Sequence, residues 1–294
     1  MKNIKWLISH QPEYLFLRTA KAFAKMLEEV NSEYKIEILT TEQYTEKYDP
    51  SFTRDKIFDL VEQNVIQMSQ TEVWELAGKT NDDNWYAFDM PWLFKSHGHA
   101  RRVLEGPIGE AMNNRLAKQA NIRGLAYTYS GGYRCVGSKV LIKNLSDLQT
   151  KKLRVSGNPI TQDYWNSVGV ETTNQNVHFG SNDPVLPADI HGKDTTYVRY
   201  EKADAWLHTE HSLFLTNILA SERFFSTMSE DMQATFKDIA FKAARLERKR
   251  SQEDADQFVV NAKAKGTPVT ELSEDDKLTM QEESGPVYEK WSKR

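Results

Sequence analysis

The 294-residue chain has a single cysteine, Cys135, so no internal disulfide can form and cysteine usage says nothing about an oxidising compartment. It also lacks any long apolar run: stretches such as Trp6-Leu7-Ile8 end after a few residues, far short of the roughly 18 that a membrane-spanning helix needs. A membrane-embedded protein is not expected. A strong charge of either sign is missing as well, since 38 Lys plus Arg stand against 42 Asp plus Glu, and a nucleic-acid partner is not expected. Catalytic signatures are absent: there is no Gly-x-Ser-x-Gly elbow, phosphate loop, dinucleotide glycine fingerprint or His-Glu-x-x-His helix. No Gly/Ser-rich linker, repeat or low-complexity tract divides the chain, and its start, Met-Lys-Asn followed by Ile4 to Ile8, has no charged leader and cleavage site. That start fits either an exported protein whose leader was removed or a cytosolic one.

What is present is an alternation of strand and helix patterns. Ile4 to Ser9 reads as a buried strand, and Phe16, Ala20, Phe23, Leu27 and Val30 form a helical stripe. Ile36 and Ile38 alternate with charged residues as in a half-buried strand, Ile57 to Val65 returns to helical spacing, and Ile66 to Val73 is a further strand candidate. Such β-α-β-α order favours an α/β layer with a largely parallel sheet. Ala100 to Leu116 forms one long helical stripe, Ile122 to Tyr129 a strand, and Gly131-Gly132 a tight turn. Asn144 caps a short turn leading to the strand Lys151 to Ser156, and Asn158-Pro159 opens a helix ending at Gly169. Ser229 to Lys265, free of Gly and Pro, reads as one long helix or two joined end to end. The length exceeds one typical domain, so two lobes joined by several chain crossings are expected.

Scattered side chains carry the candidate chemistry. Arg134 next to Cys135 would favour a thiolate, yet a lone cysteine in a strand is read as a packing residue. His208 and His211 lie three apart and His97 and His99 flank Gly98, but neither pair has the further ligands of a zinc site, so structural roles are assigned and no metal is expected. Trp85, Trp92 and Phe94 around Pro91 are read as core. Arg134 follows Gly132-Tyr133, and Arg154 stands between Leu153 and Val155, where period two sets it opposite the core, on a solvated face or in a binding role.

Taken together, several segments resemble the TRAP-type (tripartite ATP-independent periplasmic) solute-binding proteins of the DctP family. They are Phe88-Asp-Met-Pro-Trp-Leu-Phe-Lys-Ser-His-Gly-His-Ala100, Gly106-Pro-Ile-Gly109, Ser-Gly-Gly-Tyr-Arg134, Ile142-Lys-Asn-Leu-Ser-Asp-Leu148 and Lys152-Leu-Arg-Val155. Tyr200-Glu201-Lys202, Thr209-Glu-His211-Ser212, Met228-Ser-Glu-Asp231 and Pro286-Val-Tyr-Glu-Lys-Trp291 continue the series, and the 15-position spacing of Arg154 and Gly169 resembles that of the sialic-acid-binding members. No single motif carries the likeness; their shared order does.

The resemblance implies a two-lobed, periplasmic-binding-protein-like α/β fold with a long helix crossing both lobes, lobe I being residues 1–125 plus 214–250 and lobe II 126–213 plus 251–294. It implies a periplasmic, monomeric protein that captures a small organic acid in the interlobe cleft and hands it to the TRAP membrane subunits, with no catalytic residue and no cofactor. A sensor protein of the same fold, or an enzyme acting on a carboxylic acid, are the alternatives. By the same resemblance Arg154 forms the salt bridge to the ligand carboxylate and Arg134 joins it, a guanidinium offering a planar fork of donors. Glu72, Trp74, His10 and Gln11 are carried over as lining residues. The chain departs from the family at Ala188 to Thr196, where the family has Gly-Val-Val-Asp-Gly-Gln-Glu-Asn-Pro: Thr195 takes the place of a ligand-binding asparagine, and Val177 that of a stacking aromatic, beside His178 and Phe179. Asn182 to Pro187 contains two prolines where the family has a helix.

Overall fold

The computed structural model describes residues 2–174, 186–199 and 203–293. Val177, His178, Phe179 and the Tyr200-Glu201-Lys202 motif therefore lie outside the described residues, as does most of Asn182 to Pro187. In chain order the strands are β1 (Lys2–Ile8), β2 (Tyr34–Thr40), β3 (Met68–Glu72), β4 (Ile122–Tyr133), β5 (Cys135–Ser138), β6 (Lys152–Arg154), β7 (Glu171–Thr173), β8 (Gly192–Thr195), β9 (Ala205–His208), β10 (Leu213–Ser221) and β11 (Val269–Glu271). They form two sheets, of order β2-β1-β3-β10-β4 and β11-β9-β5-β8-β6-β7. The chain divides into two compact units: residues 1–85, 96–129 and 215–250, and residues 86–95, 130–214 and 251–294. This is the expected α/β architecture, with β4, β10 and the long helix each contributing residues to both units.

In the first unit, β1 runs parallel to β2 in a seven-residue register from Lys2 beside Tyr34 to Ile8 beside Thr40. The helix between them, Glu13–Val30, buries Leu15, Phe16, Thr19, Ala20, Phe23 and Leu27, the helical face that lets a crossover pack on its sheet. Thr40 and Gln43 form a capping box, each side chain accepting from the other's backbone N–H at 3.2 and 3.0 Å, so β2 passes directly into a helix. β10 then enters antiparallel to β3, with Thr216 opposite Glu72. Phe236 anchors the long helix: it is fully buried, with ring centroids 5.5 Å from Phe23 and 5.6 Å from Tyr34. Further along that helix Glu247 accepts from Arg18 at 2.6 and 2.7 Å, and Arg248 donates to the Tyr127 carbonyl at 2.7 Å.

The second unit's sheet is covered by two apolar clusters. One gathers Val136, Leu153, Val155, Trp165 and Leu207; the other Cys135, Tyr197 and Trp206, with Phe258 of the long helix against it. Neighbouring residues of β5, Cys135 and Val136, thus serve opposite faces, as a strand's alternation requires.

Three readings of the sequence need correction or completion. The stripe Ala100 to Leu116 is two helices, His97–Leu104 and Pro107–Ala120, because Gly106 takes the extended N-cap conformation and Pro107 lacks the N–H that would continue the first. Gly131-Gly132 makes no turn: both lie within β4 at φ +88°, and a Cβ on Gly131 would come within 2.3 Å of the Thr196 hydroxyl. Residues 230–264 form one unbroken helix.

Phe236→Ala should destabilise the first unit by about 3–5 kcal/mol, the usual cost of emptying a buried aromatic site. Urea unfolding followed by circular dichroism would measure it.

Candidate functional site

Two polar clusters are built into the units, and each is described by itself. In the first unit, β1 ends at Ile8 and leads into His10, which is 8% exposed and packs on Phe16 with centroids 5.1 Å apart. Glu72 ends β3. Its carboxylate is shared: Oε1 bonds His10 Nε2 and Oε2 accepts from Trp74 Nε1–H. The structure thus brings His10, Glu72 and Trp74 together. Gln11 is exposed, and its Oε1 accepts from the Glu13 N–H at 3.2 Å, closing the first turn of the helix that follows.

Glu75, not singled out from the sequence, adds a second acid beside Glu72. Its side chain is 14% exposed and both its oxygens accept from Arg54 Nη2, at 2.6 and 2.9 Å. Burial pushes its pKa up to about 7, with the Glu72 charge adding to the rise and Arg54 opposing it.

In the second unit the centre is Arg134, the residue between β4 and β5, only 2% exposed. Its backbone is held on both sides: its N–H donates to the Ser212 carbonyl at 2.8 Å and its own carbonyl accepts from the Thr209 hydroxyl at 3.3 Å. Its Nη1 donates to Asp194 Oδ1 at 3.4 Å. Asp194, on β8 and 1% exposed, also accepts from Trp165 Nε1–H at 2.8 Å and faces His211 Nε2 at 3.4 Å. Burial alone would raise the Asp194 pKa; the charges of His211 and Arg134 outweigh it and hold this carboxyl well below the ordinary carboxylate range. His211 is fixed in turn by Thr209 at 2.8 Å, stacks on Tyr164 and meets Trp165 edge-on. Arg134 has two further donors, Nε and Nη2, which are buried without a hydrogen-bond partner among the described residues. A buried guanidinium with unused donors is the chemistry of an anion site.

Thr195 follows Asp194 on β8, fully buried and in register with Cys135. Arg154 ends β6, on the other side of β8 from β5, with Lys193 and Thr173 as its register partners. It is half-buried, between Leu153 and Val155 in the core. The structure therefore joins Arg134 to the β8 acid and sets Arg154 two strands away.

The remaining side chains weighed from the sequence have plain structural surroundings. Burial pushes the Cys135 thiol well above its ordinary pKa, as suits a packing residue. His208 bonds the Tyr197 hydroxyl at 2.6 Å, apart from His211's partners, and His97 meets the Tyr129 hydroxyl at 3.3 Å. Trp85 and Phe94 are buried, while Trp92 is half-buried at φ +62° with its N–H donated to the His211 carbonyl at 2.7 Å. Among the described residues no group of three His, Cys, Asp or Glu could hold a metal ion, and no helix is long and apolar enough to cross a membrane.

The profile of the bacterial extracellular solute-binding protein family 7, DctP, matches residues 8–177 and 197–294. The chain belongs to this family. Its match is interrupted over 178–196, which takes in the departing stretch Ala188 to Thr196, so Asp194 and Thr195 sit in a stretch that the family profile does not match. A solute-binding protein of Verminephrobacter eiseniae is 29% identical over 192 residues, covering 62% of this chain and 55% of that relative, so the chain spans little more than half the length of this curated relative. Two solved folds are close. A TRAP periplasmic solute-binding protein of Desulfovibrio desulfuricans with bound sn-glycerol-3-phosphate has a TM-score of 0.84 at 19% identity, over 99% of this chain and 92% of its own. One of Pseudomonas putida with bound D-glucuronate has a TM-score of 0.79 at 20% identity, over 99% and 93%. These solved structures agree with the fold expected from the motif order.

Sequence reasoning named Arg134 but missed Asp194, His211 as its partner, and Glu75. A signal for the first was available: the family stretch Gly-Gln-Glu-Asn carries an acid where Gly192-Lys-Asp-Thr195 has Asp194.

The Glu75 shift has a pH consequence. Below about pH 4.5 this carboxyl is neutral whether the chain is folded or not; as pH rises towards 7 the unfolded chain ionises first, and the stability from the neutral form is progressively lost. Glu75→Gln should therefore flatten the fall of the melting temperature with pH across that window, which differential scanning calorimetry at several pH values would read.

Proposed function

We propose that this family 7 member is the periplasmic solute-binding component of a TRAP-type transporter and holds a small organic carboxylate through Arg134 and Arg154. The observation that carries the reading is the Arg134 guanidinium, almost wholly buried and with Nε and Nη2 unused while Nη1 engages Asp194. Asp194 keeps the cation in place; the two remaining donors form the edge that a carboxylate accepts from bidentately. Arg154 serves as the second anchor on the β6 side of β8, and Thr195 between them offers one hydroxyl in place of an amide. His10, Glu72 and Trp74 supply polar and aromatic contacts to the ligand's uncharged groups, Glu72 acting as acceptor for hydroxyl or amino hydrogens. The reading involves capture and release without turnover, and delivery to membrane subunits that recognise the loaded protein. The acids bound by the family's solved members, glucuronate among them, agree with this ligand class.

A thermal-shift panel of monocarboxylates, dicarboxylates and sugar acids should contain at least one compound that raises the melting temperature, because a ligand of the native state stabilises it. For that compound, calorimetry on Arg134→Ala and on Arg154→Ala should show affinity lowered at least tenfold, about 1.4 kcal/mol, with the circular dichroism spectrum unchanged. Equal affinity of wild type and Arg154→Ala would remove Arg154 from the site.

A further inference from the structure

We propose that Glu75 and Arg54 form a proton-operated bolt on Glu72: while Glu75 is charged it holds the Arg54 guanidinium, and when Glu75 takes up a proton the guanidinium passes to Glu72 and draws that carboxylate away from the Trp74 indole. The inference deepens the reading of Glu72 as an acceptor for a ligand's hydroxyl or amino hydrogens, because a carboxylate claimed by Arg54 is withdrawn from that role. Glu75 is thereby a positioning residue of the first unit, acting through Arg54 on Glu72.

The local chain sets the two acids on either side of one short turn. Glu72 is the last residue of β3, and Glu75 is the first of the helix Glu75–Thr80. Arg54 opens the 3-10 turn Arg54–Lys56, and its side chain stays 42% exposed. Both Glu75 oxygens accept from a single nitrogen, Nη2, at 2.6 and 2.9 Å. An arginine open to solvent and held through one nitrogen changes partner by rotation of its side chain alone. It already responds to both acids: burial alone would lower its pKa, and the charges of Glu75 and then Glu72 outweigh that and raise it.

Two carboxylates drawing on one guanidinium are relieved by a proton, and the surroundings direct it to Glu75. Glu72 is bonded by both His10 Nε2 and the Trp74 indole N–H, which favour its charged form. Glu75 is the more protonatable of the two positions: burial pushes its pKa up to about 7, Arg54 opposing and the Glu72 charge adding to the rise. The other charges on these elements are engaged elsewhere. Lys79, one turn further along the helix of Glu75, donates to Asp59 at 2.9 Å and to Glu62, and Arg115 pairs with Asp82 beyond that helix. On the turn of Arg54, Asp55 is bonded by the Thr53 side chain, and Lys56 donates to the Ser51 carbonyl at 2.8 Å. The imidazole of His10 is the rival explanation for any event near neutrality, since this is the side-chain type that ordinarily titrates there.

The Trp74 indole reports the switch without any ligand. In protein labelled with nitrogen-15 tryptophan the seven indole N–H groups give separate NMR signals, and the one lost in Trp74→Phe belongs to Trp74. As pH falls from about 8.5 to about 5.5, a span centred on neutrality, this signal should shift upfield as the indole loses its carboxylate acceptor. The midpoint should lie near pH 7. Glu75→Gln, with a neutral side chain of the same shape, should fix the signal at its low-pH position throughout. Arg54→Gln should fix it at the high-pH position, and His10→Gln should keep the transition. A wild-type signal that does not move would overturn the proposal. So would a transition that survives in folded Glu75→Gln and disappears in His10→Gln, which assigns it to the imidazole. Melting curves report whether each variant folds; if Glu75→Gln does not, Arg54→Gln, a change at an exposed side chain, decides, and an unchanged transition there would overturn the bolt. Because no ligand is present, such a failure leaves the Arg134 anchor to its own calorimetric test.

Discussion

A guanidinium and a carboxylate buried together at 3.4 Å set the terms for the second unit. Neither Arg134 nor Asp194 reaches water, so each depends on the other and on the groups around them, and taking either partner away strands a charge in a medium that solvates it poorly. The sheet supports the pair: β5 and β8 run antiparallel with Cys135 beside Thr195, which brings Arg134 to the end of the strand carrying Asp194. The acid is surrounded on its remaining sides by the Trp165 indole and the His211 ring, and His211 is clamped between Tyr164 and Thr209. An ion pair with this much support leaves the arginine rigid, and rigidity is what gives its unused donors a defined direction.

The first unit arranges its polar groups differently. Glu72 and Glu75 stand close enough for the charge of one to raise the pKa of the other, and Arg54, His10 and Trp74 each spend hydrogen bonds on them. Such a cluster is rich in acceptors, suited to hydroxyl and amino hydrogens, whereas Arg134 offers donors. Each chemistry follows from strand ends: β3 terminates in Glu72, β1 leads to His10, and β5 begins just after Arg134. Ends of strands are where a sheet can release a side chain from packing duty.

Much of the fold was legible because its signals are local. Alternation in Tyr34–Thr40, the stripe of Glu13–Val30 and the Gly- and Pro-free run ending at Ala264 all declare their period within one element. Errors arose where a short-range signal met a long-range one. Periodicity runs through Gly106-Pro107 without registering that Pro107 ends one helix and starts another. Gly131-Gly132 resembles a turn by composition, yet Gly131 lets Thr196 and Val198 approach the strand, a contact made by residues some 65 positions away. For the site, Arg134 could be named from a motif, but Asp194 and His211 become its neighbours only through the pairing of β5, β8 and β9. Glu75 is silent for a similar reason: its unusual proton affinity comes from burial next to Glu72, which no spacing reports.

The solitary cysteine has one more implication. Cys135 is buried in one apolar cluster with Tyr197 and Trp206, in register with Thr195 and adjacent in sequence to the buried arginine. A thiol so protonated and so enclosed reacts with alkylating reagents only when the second sheet opens. The protein thus carries a native, single-site chemical stopwatch for breathing at the heart of its second unit, readable by mass without introducing any label or substitution.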